Sequence, residues 1–112
     1  VPSPVERAAT LAEHVKAQPL AGALDRELHC LAGAIYFEAR GESLAGQLAV
    51  GRVVVERSKS GRFPASYCGV VFQRSQFSFI RGRSMPAIPE SSAAWRNAQA
   101  IAQIADEGSW ES

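Results

Sequence analysis

Between Asp25 and Gly41, the apolar residues Leu28, Leu31, Ala32, Ile35, Tyr36 and Ala39 recur at i, i+3, i+4, i+7, i+8 and i+11. That is one unbroken stripe of helical period. A stripe of this length is stable only when other elements cover it, so the chain must build a packed helical core around this segment. Asp25 is a good N-cap at its start, and Gly41 is placed to stop it at the other end.

The flanking sequence predicts more helices. Ser3-Pro4-Val5-Glu6 is a capping box with proline at the first helical position, which opens a helix running to about Gln18, ahead of Pro19. Residues 20–24 form a short connector. Ser43 caps a third helix with Leu44, Leu48, Gly51 and Val55 in one row. Val50, Val53 and Val54 point in other directions, which predicts a central helix, apolar most of the way round. Gly51 in that row marks either the close approach of a neighbour or a tolerated glycine, costing about 1 kcal/mol relative to alanine. A loop over 59–64 is followed by a short helix from Ser66 through Phe72. The alternation Gln76-Phe77-Ser78-Phe79-Ile80 reads as a short strand. Residues 81–89, with Gly82, Pro86 and Pro89, form the longest irregular segment and are expected to be a mobile loop. Ser91 or Ser92 caps a last helix through Glu107, ended by Gly108. Its face carries Trp95, Ala98, Ile101, Ala102 and Ala105.

The 112 residues amount to one domain, and 46% apolar with 21% charged residues excludes a disordered tail or a low-complexity repeat. A net charge of +1 is too balanced to point to nucleic acid. No run approaches the roughly 18 apolar residues of a membrane span. Starting at Val1 with no signal-like apolar region, the chain reads as mature or trimmed. Cys30 and Cys68 have no zinc-type spacing and are readable either as buried thiols or as one bridge.

Glu38 is the odd residue of the stripe. It lies at its margin, near Leu31 and Ile35, and in the last turn, where the helix dipole disfavours negative charge. Both features destabilise the carboxylate form, and a carboxyl that keeps its proton near neutrality is what general-acid catalysis needs. The plainer alternative is a structural glutamate paired with Arg40 or Arg52. Glu42, four residues on, is either a second carboxylate of a glycosidase pair or a solvated turn residue. His14 and His29 have no metal-ligand partners at sensible spacing, so no metal or cofactor is expected. Arg74, Arg81, Arg83 and Arg96 are interleaved with Phe77, Phe79 and Trp95 in a way that suits nucleic acid or an anionic glycan, though a solvated loop surface is the plainer reading.

Read together, the motifs Cys30-Leu-Ala-Gly-Ala-Ile-Tyr-Phe-Glu38-Ala-Arg-Gly-Glu42, Gly46-Gln47-Leu-Ala-Val-Gly-Arg, Phe63-Pro64, Cys68-Gly-Val-Val-Phe-Gln73 and Gln76-Phe77-Ser78-Phe79 follow in order. This closely resembles the SleB-type cell-wall hydrolase family of spore-cortex-lytic enzymes, over about residues 25–108. The resemblance implies a mainly helical, lysozyme-like domain related to lytic transglycosylases, with at most a short β element. On that view residues 1–24 are an N-terminal helix and connector, and 25–112 form the catalytic domain. The implied substrate is peptidoglycan, cut between N-acetylmuramic acid and N-acetylglucosamine.

The family's catalytic glutamate falls on Glu38, acting as general acid and then base to leave 1,6-anhydromuramic ends. Glu42, Gln47, Gln76, Phe77 and Ser78 are implied as substrate-binding residues, although Phe77 and Phe79 are equally readable as core. The two alternatives are a hydrolytic muramidase using Glu38 and Glu42, and an inactive module that binds glycan or a partner. A periplasmic or secreted location follows from the implied substrate, and it favours a Cys30–Cys68 disulfide. Family members continue past the last helix into a segment that helps form the cleft. Here the chain stops at Ser112, so an open cleft, or a protein partner completing it, is expected.

Overall fold

The computed structural model describes residues 10–19, 25–73, 77–80 and 84–110. Five helices occur among them: α1 (Leu11–Ala17), α2 (Arg26–Ala39), α3 (Leu44–Lys59), α4 (Tyr67–Val71) and α5 (Ala93–Glu107). The architecture is mainly α as expected, with no strand among the described residues.

The caps are mostly those the sequence predicts. Asp25 accepts from the backbone N–H of Leu28 at 2.8 Å, and Ser43 accepts from Gly46 at 3.1 Å. Ser66 accepts from Gly69 at 2.9 Å, and Ser92, rather than Ser91, accepts from Trp95 at 3.1 Å. Gly41 and Gly108 take φ of 87° and 65° beyond the ends of α2 and α5, the left-handed conformation that glycine adopts without a Cβ clash.

The first helix differs from its expectation. Ser3 lies outside the described residues, and Thr10 is extended, with φ −128° and ψ 157°, so no continuous helix passes through it. Thr10 itself caps α1 by accepting from Glu13. Thr10-x-x-Glu13 carries the same capping signature as the predicted start.

The central helix is α2, not α3. Seven consecutive residues, Cys30 to Tyr36, are buried, because α3, α4 and α5 all pack on α2. Small side chains make such encirclement possible. At Gly51 of α3, an added Cβ would lie 3.0 Å from Ile35 of α2 and 3.2 Å from Ala105 of α5. The close approach signalled by Gly51 is therefore real and involves both neighbours. One flank of α3 instead faces solvent, leaving Val53 44% exposed.

The irregular segment 84–89 is anchored on α2: Met85 and Ile88 pack against the core, and Met85 Sδ fills the notch at Gly33. Residues 81–83 of the expected mobile loop lie outside the described residues. The Cys30–Cys68 disulfide joins the first half of α2 to α4 and closes a separation of 38 residues.

Candidate active site

Glu38 occupies the last turn of α2, between half-buried Phe37 and buried Ala39. Its side chain is exposed, which corrects the expectation of partial burial. The reason is local. The chain leaves the helix at Arg40, which is extended with φ −61° and ψ 137°, and turns at Gly41. The following helix then packs beneath the Ile35 side of α2 and leaves the Glu38 side open.

The arginines named as its structural partners are engaged elsewhere. Arg40 Nη1 donates to the Tyr36 hydroxyl at 2.8 Å, with the guanidinium 5.1 Å from that ring's centroid. Arg52 donates to the Trp110 carbonyl.

Phe37, the residue before Glu38, belongs to a cluster of aromatic rings. Phe37 stacks on Phe79 with centroids 5.0 Å apart, and Phe79 meets Phe77 at 5.5 Å. On the inner side, Tyr36 meets Phe37 edge-on at 5.0 Å and Trp95 at 6.1 Å. A chain of rings thus leads from the buried Trp95 outward to a half-exposed phenylalanine shelf. Such contacts contribute roughly 0.5–1.5 kcal/mol each beyond burial.

Segment 77–80 is a turn, with the Ile80 N–H donating to the Phe77 carbonyl at 3.3 Å, in place of the predicted strand. A strand needs a partner to take up its backbone groups. Closing the turn instead brings Phe77 and Phe79 together and leaves Ser78 exposed between them. Gln76 lies outside the described residues.

The other implied binding residues separate by burial. Glu42 is exposed, and its N–H donates to the Ala39 carbonyl at 2.9 Å. Gln47 is only 6% exposed, and its Nε2 donates back to the Glu42 carbonyl at 3.2 Å. That bond braces the turn between α2 and α3 from inside. Its signal in the sequence is faint, a carboxamide in the first turn of a helix that follows a glycine turn. The Tyr36–Arg40 pair, which sequence reasoning missed, is a readable i,i+4 spacing. Among the described residues, no group of three or more His, Cys, Asp or Glu is arranged to hold a metal ion. No helix among them is long and apolar enough to cross a membrane.

Comparison with known proteins gives consistent relatives. A model of the Cell Wall Hydrolase family matches residues 41–112, a range that contains Glu42, Gln47, Phe77 and Ser78 and begins just after Glu38. A spore cortex-lytic enzyme of Halalkalibacterium halodurans is 36% identical over 73 residues, which is 65% of this chain and 22% of that protein. The spore cortex-lytic enzyme of Bacillus subtilis is 35% identical over 72 residues, covering 64% and 24%. That of Oceanobacillus iheyensis is 37% identical over 59 residues, covering 53% and 21%. The chain thus spans less than a quarter of the length of these relatives. No solved structure matches it at a significant level. With a family model covering well over half of its residues, the chain belongs to the Cell Wall Hydrolase family.

Proposed function

We propose that this domain cleaves the glycan strands of peptidoglycan as a lytic transglycosylase in the cell envelope, with Glu38 as its single acid and base. The observation that carries the reading is an accessible carboxyl in the last turn of a buried helix, one residue after a phenylalanine that stacks on Phe79, in a chain of this family. An exposed acid next to aromatic faces suits a polymer that lies across the surface.

The chemistry then needs one carboxyl. Glu38 protonates the glycosidic oxygen as the bond from muramic C1 to that oxygen breaks and an oxocarbenium-like centre develops. The carboxylate so formed takes the proton from the C6 hydroxyl, whose oxygen bonds to C1 and closes the 1,6-anhydro ring. The acid is regenerated and no water is consumed. Phe77 stacks on a sugar, Ser78 and Gln76 bond to its hydroxyl or N-acetyl groups, and exposed Glu42 lines the strand's path. Gln47 is a positioning residue, because its amide is spent on the turn that presents Glu42.

Digestion of purified sacculi, read by mass spectrometry, tests this. Anhydromuropeptides are expected from the wild type, and Glu38→Gln should reduce their release at least about a hundredfold with an unchanged circular dichroism spectrum. Reducing ends in place of anhydro ends mean hydrolysis, for which exposed Glu42 is the second carboxylate. Sacculi that are bound but not cut indicate a binding module or a missing protein partner. Wild-type turnover by Glu38→Gln removes Glu38 from the mechanism.

A further inference from the structure

A second concave site lies between α1 and α5, built from residues that the proposed chemistry does not use. Its volume is about 200 Å³, and its walls include Lys16 and Gln18 from the end of α1 and Arg96, Asn97, Gln99 and Gln103 from α5. Val15 and Ala100, both buried, form an apolar floor. Lys16 on α1 and Arg96 on α5 both line the groove and are exposed.

Two features separate this groove from an ordinary helix-packing crease. It carries two cations, and no acidic side chain is among its described lining. Its walls are also tied together. Gln103 Nε2 of α5 donates to the Pro19 carbonyl at 3.5 Å across the groove, while Gln18, only 7% exposed, stiffens the α1 wall by donating to the His14 carbonyl four residues back at 3.3 Å. Farther along the same pair of helices, His14 Nε2 and Ser109 Oγ are joined at 2.9 Å, so α1 is fastened at its middle as well as just past its C-terminal end. A groove held open in this way pays little ordering entropy when a ligand arrives.

We propose that this groove binds the peptide stem attached to the glycan, taking a backbone carboxylate or acidic side chain between Lys16 and Arg96. The inference rests on the cell-wall reading above. Charge selects an anion, because both rim groups are cationic and Arg96 offers a paired-donor fork to a carboxylate. The carboxamides of Asn97, Gln99 and Gln103 select a ligand rich in amide N–H and C=O groups, and a peptide has both. Size selects one residue of a chain, since about 200 Å³ falls short of the ~300–1,000 Å³ pocket of a whole small-molecule ligand.

The probe is a synthetic stem tetrapeptide with free carboxylates, titrated into isotope-labelled protein and followed by amide chemical shifts. Shifts confined to residues 15–19 and 96–103 are expected, and binding should weaken as salt is raised. The double variant Lys16→Gln with Arg96→Gln, both exposed, should weaken binding about tenfold. Arg62→Gln, on the far connection between α3 and α4, should leave it unchanged. A peptide that shifts nothing in these segments, or binds the double variant as well as the wild type, overturns the proposal. This measurement needs no cleavage, so it is separate from failure of the cell-wall reading, which shows as sacculi left intact by the wild type. An equal response to the amidated tetrapeptide, which lacks free carboxylates, also overturns it.

Discussion

Gly33 and Gly51 both sit inside packed helices, and an added side chain means opposite things at the two. At Gly51 the obstructing atoms are Ala105 Cβ, which cannot move without the α5 backbone, and Cδ1 of the fully buried Ile35, which has packed neighbours on every side. Gly51→Val should therefore destabilise by about 2 kcal/mol or more, seen as a lower urea midpoint with an unchanged slope. At Gly33 the obstruction is Met85 Sδ and Cε, the far end of a flexible side chain. Gly33→Ala should then be close to neutral, because about 1 kcal/mol of helix propensity offsets the displaced methionine. The importance of Gly51 was legible from its place in an apolar row. The role of Gly33 was not, because its occupant comes from a residue 52 positions away. Glu38 shows the same limit: helical spacing puts it at the edge of the stripe, but the direction of the Arg40–Gly41 turn decides whether that edge is covered.

Among the elements, α4 depends most on its surroundings. Five residues are too few to hold a helix in water. Besides its own cap Ser66, it is secured by Glu27 of α2, whose Oε1 accepts from the backbone of Tyr67 at 2.7 Å and Cys68 at 3.4 Å. Its Tyr67 hydroxyl donates to Asp106 of α5 at 2.5 Å. Glu27→Ala should cost about 1–2 kcal/mol by loss of this borrowed cap, measurable by thermal unfolding. Burial first, then the bond to Asp106 and the charges of Asp106, Glu27 and Asp25, push the Tyr67 phenol above its ordinary value of 10.0. The folded chain thus holds that proton more tightly than the unfolded chain. The contribution is complete below about pH 10 and is lost as pH rises further, toward the folded value. In urea titrations, the stability gap between wild type and Tyr67→Phe should be constant up to about pH 10 and shrink above it. The short helix and its Ser66 cap were readable in the sequence, but Glu27 and Asp106 were not, lying 40 and 39 residues from the groups they bind.

At the scale of the molecule, the disulfide ties the short α4 to the enclosed helix α2. The 38-residue separation credits it with about 3–4 kcal/mol on chain-entropy grounds. Reduction should lower the unfolding free energy by about that amount, and denatured, unreduced protein should show no titratable thiol. Two titratable thiols would remove the bridge from the account. The chain by itself determined its helices, because caps, glycine stops and apolar periodicity act over three or four residues and are written where they act. It also carried the motifs that mark its family. Only the tertiary structure decided that α2 and not α3 is enclosed, that 77–80 closes as a turn against Phe37, that Gln47 faces inward and that Glu38 faces out. Each of these depends on which distant segment fills the space beside a residue, and that choice is settled by packing the whole core at once.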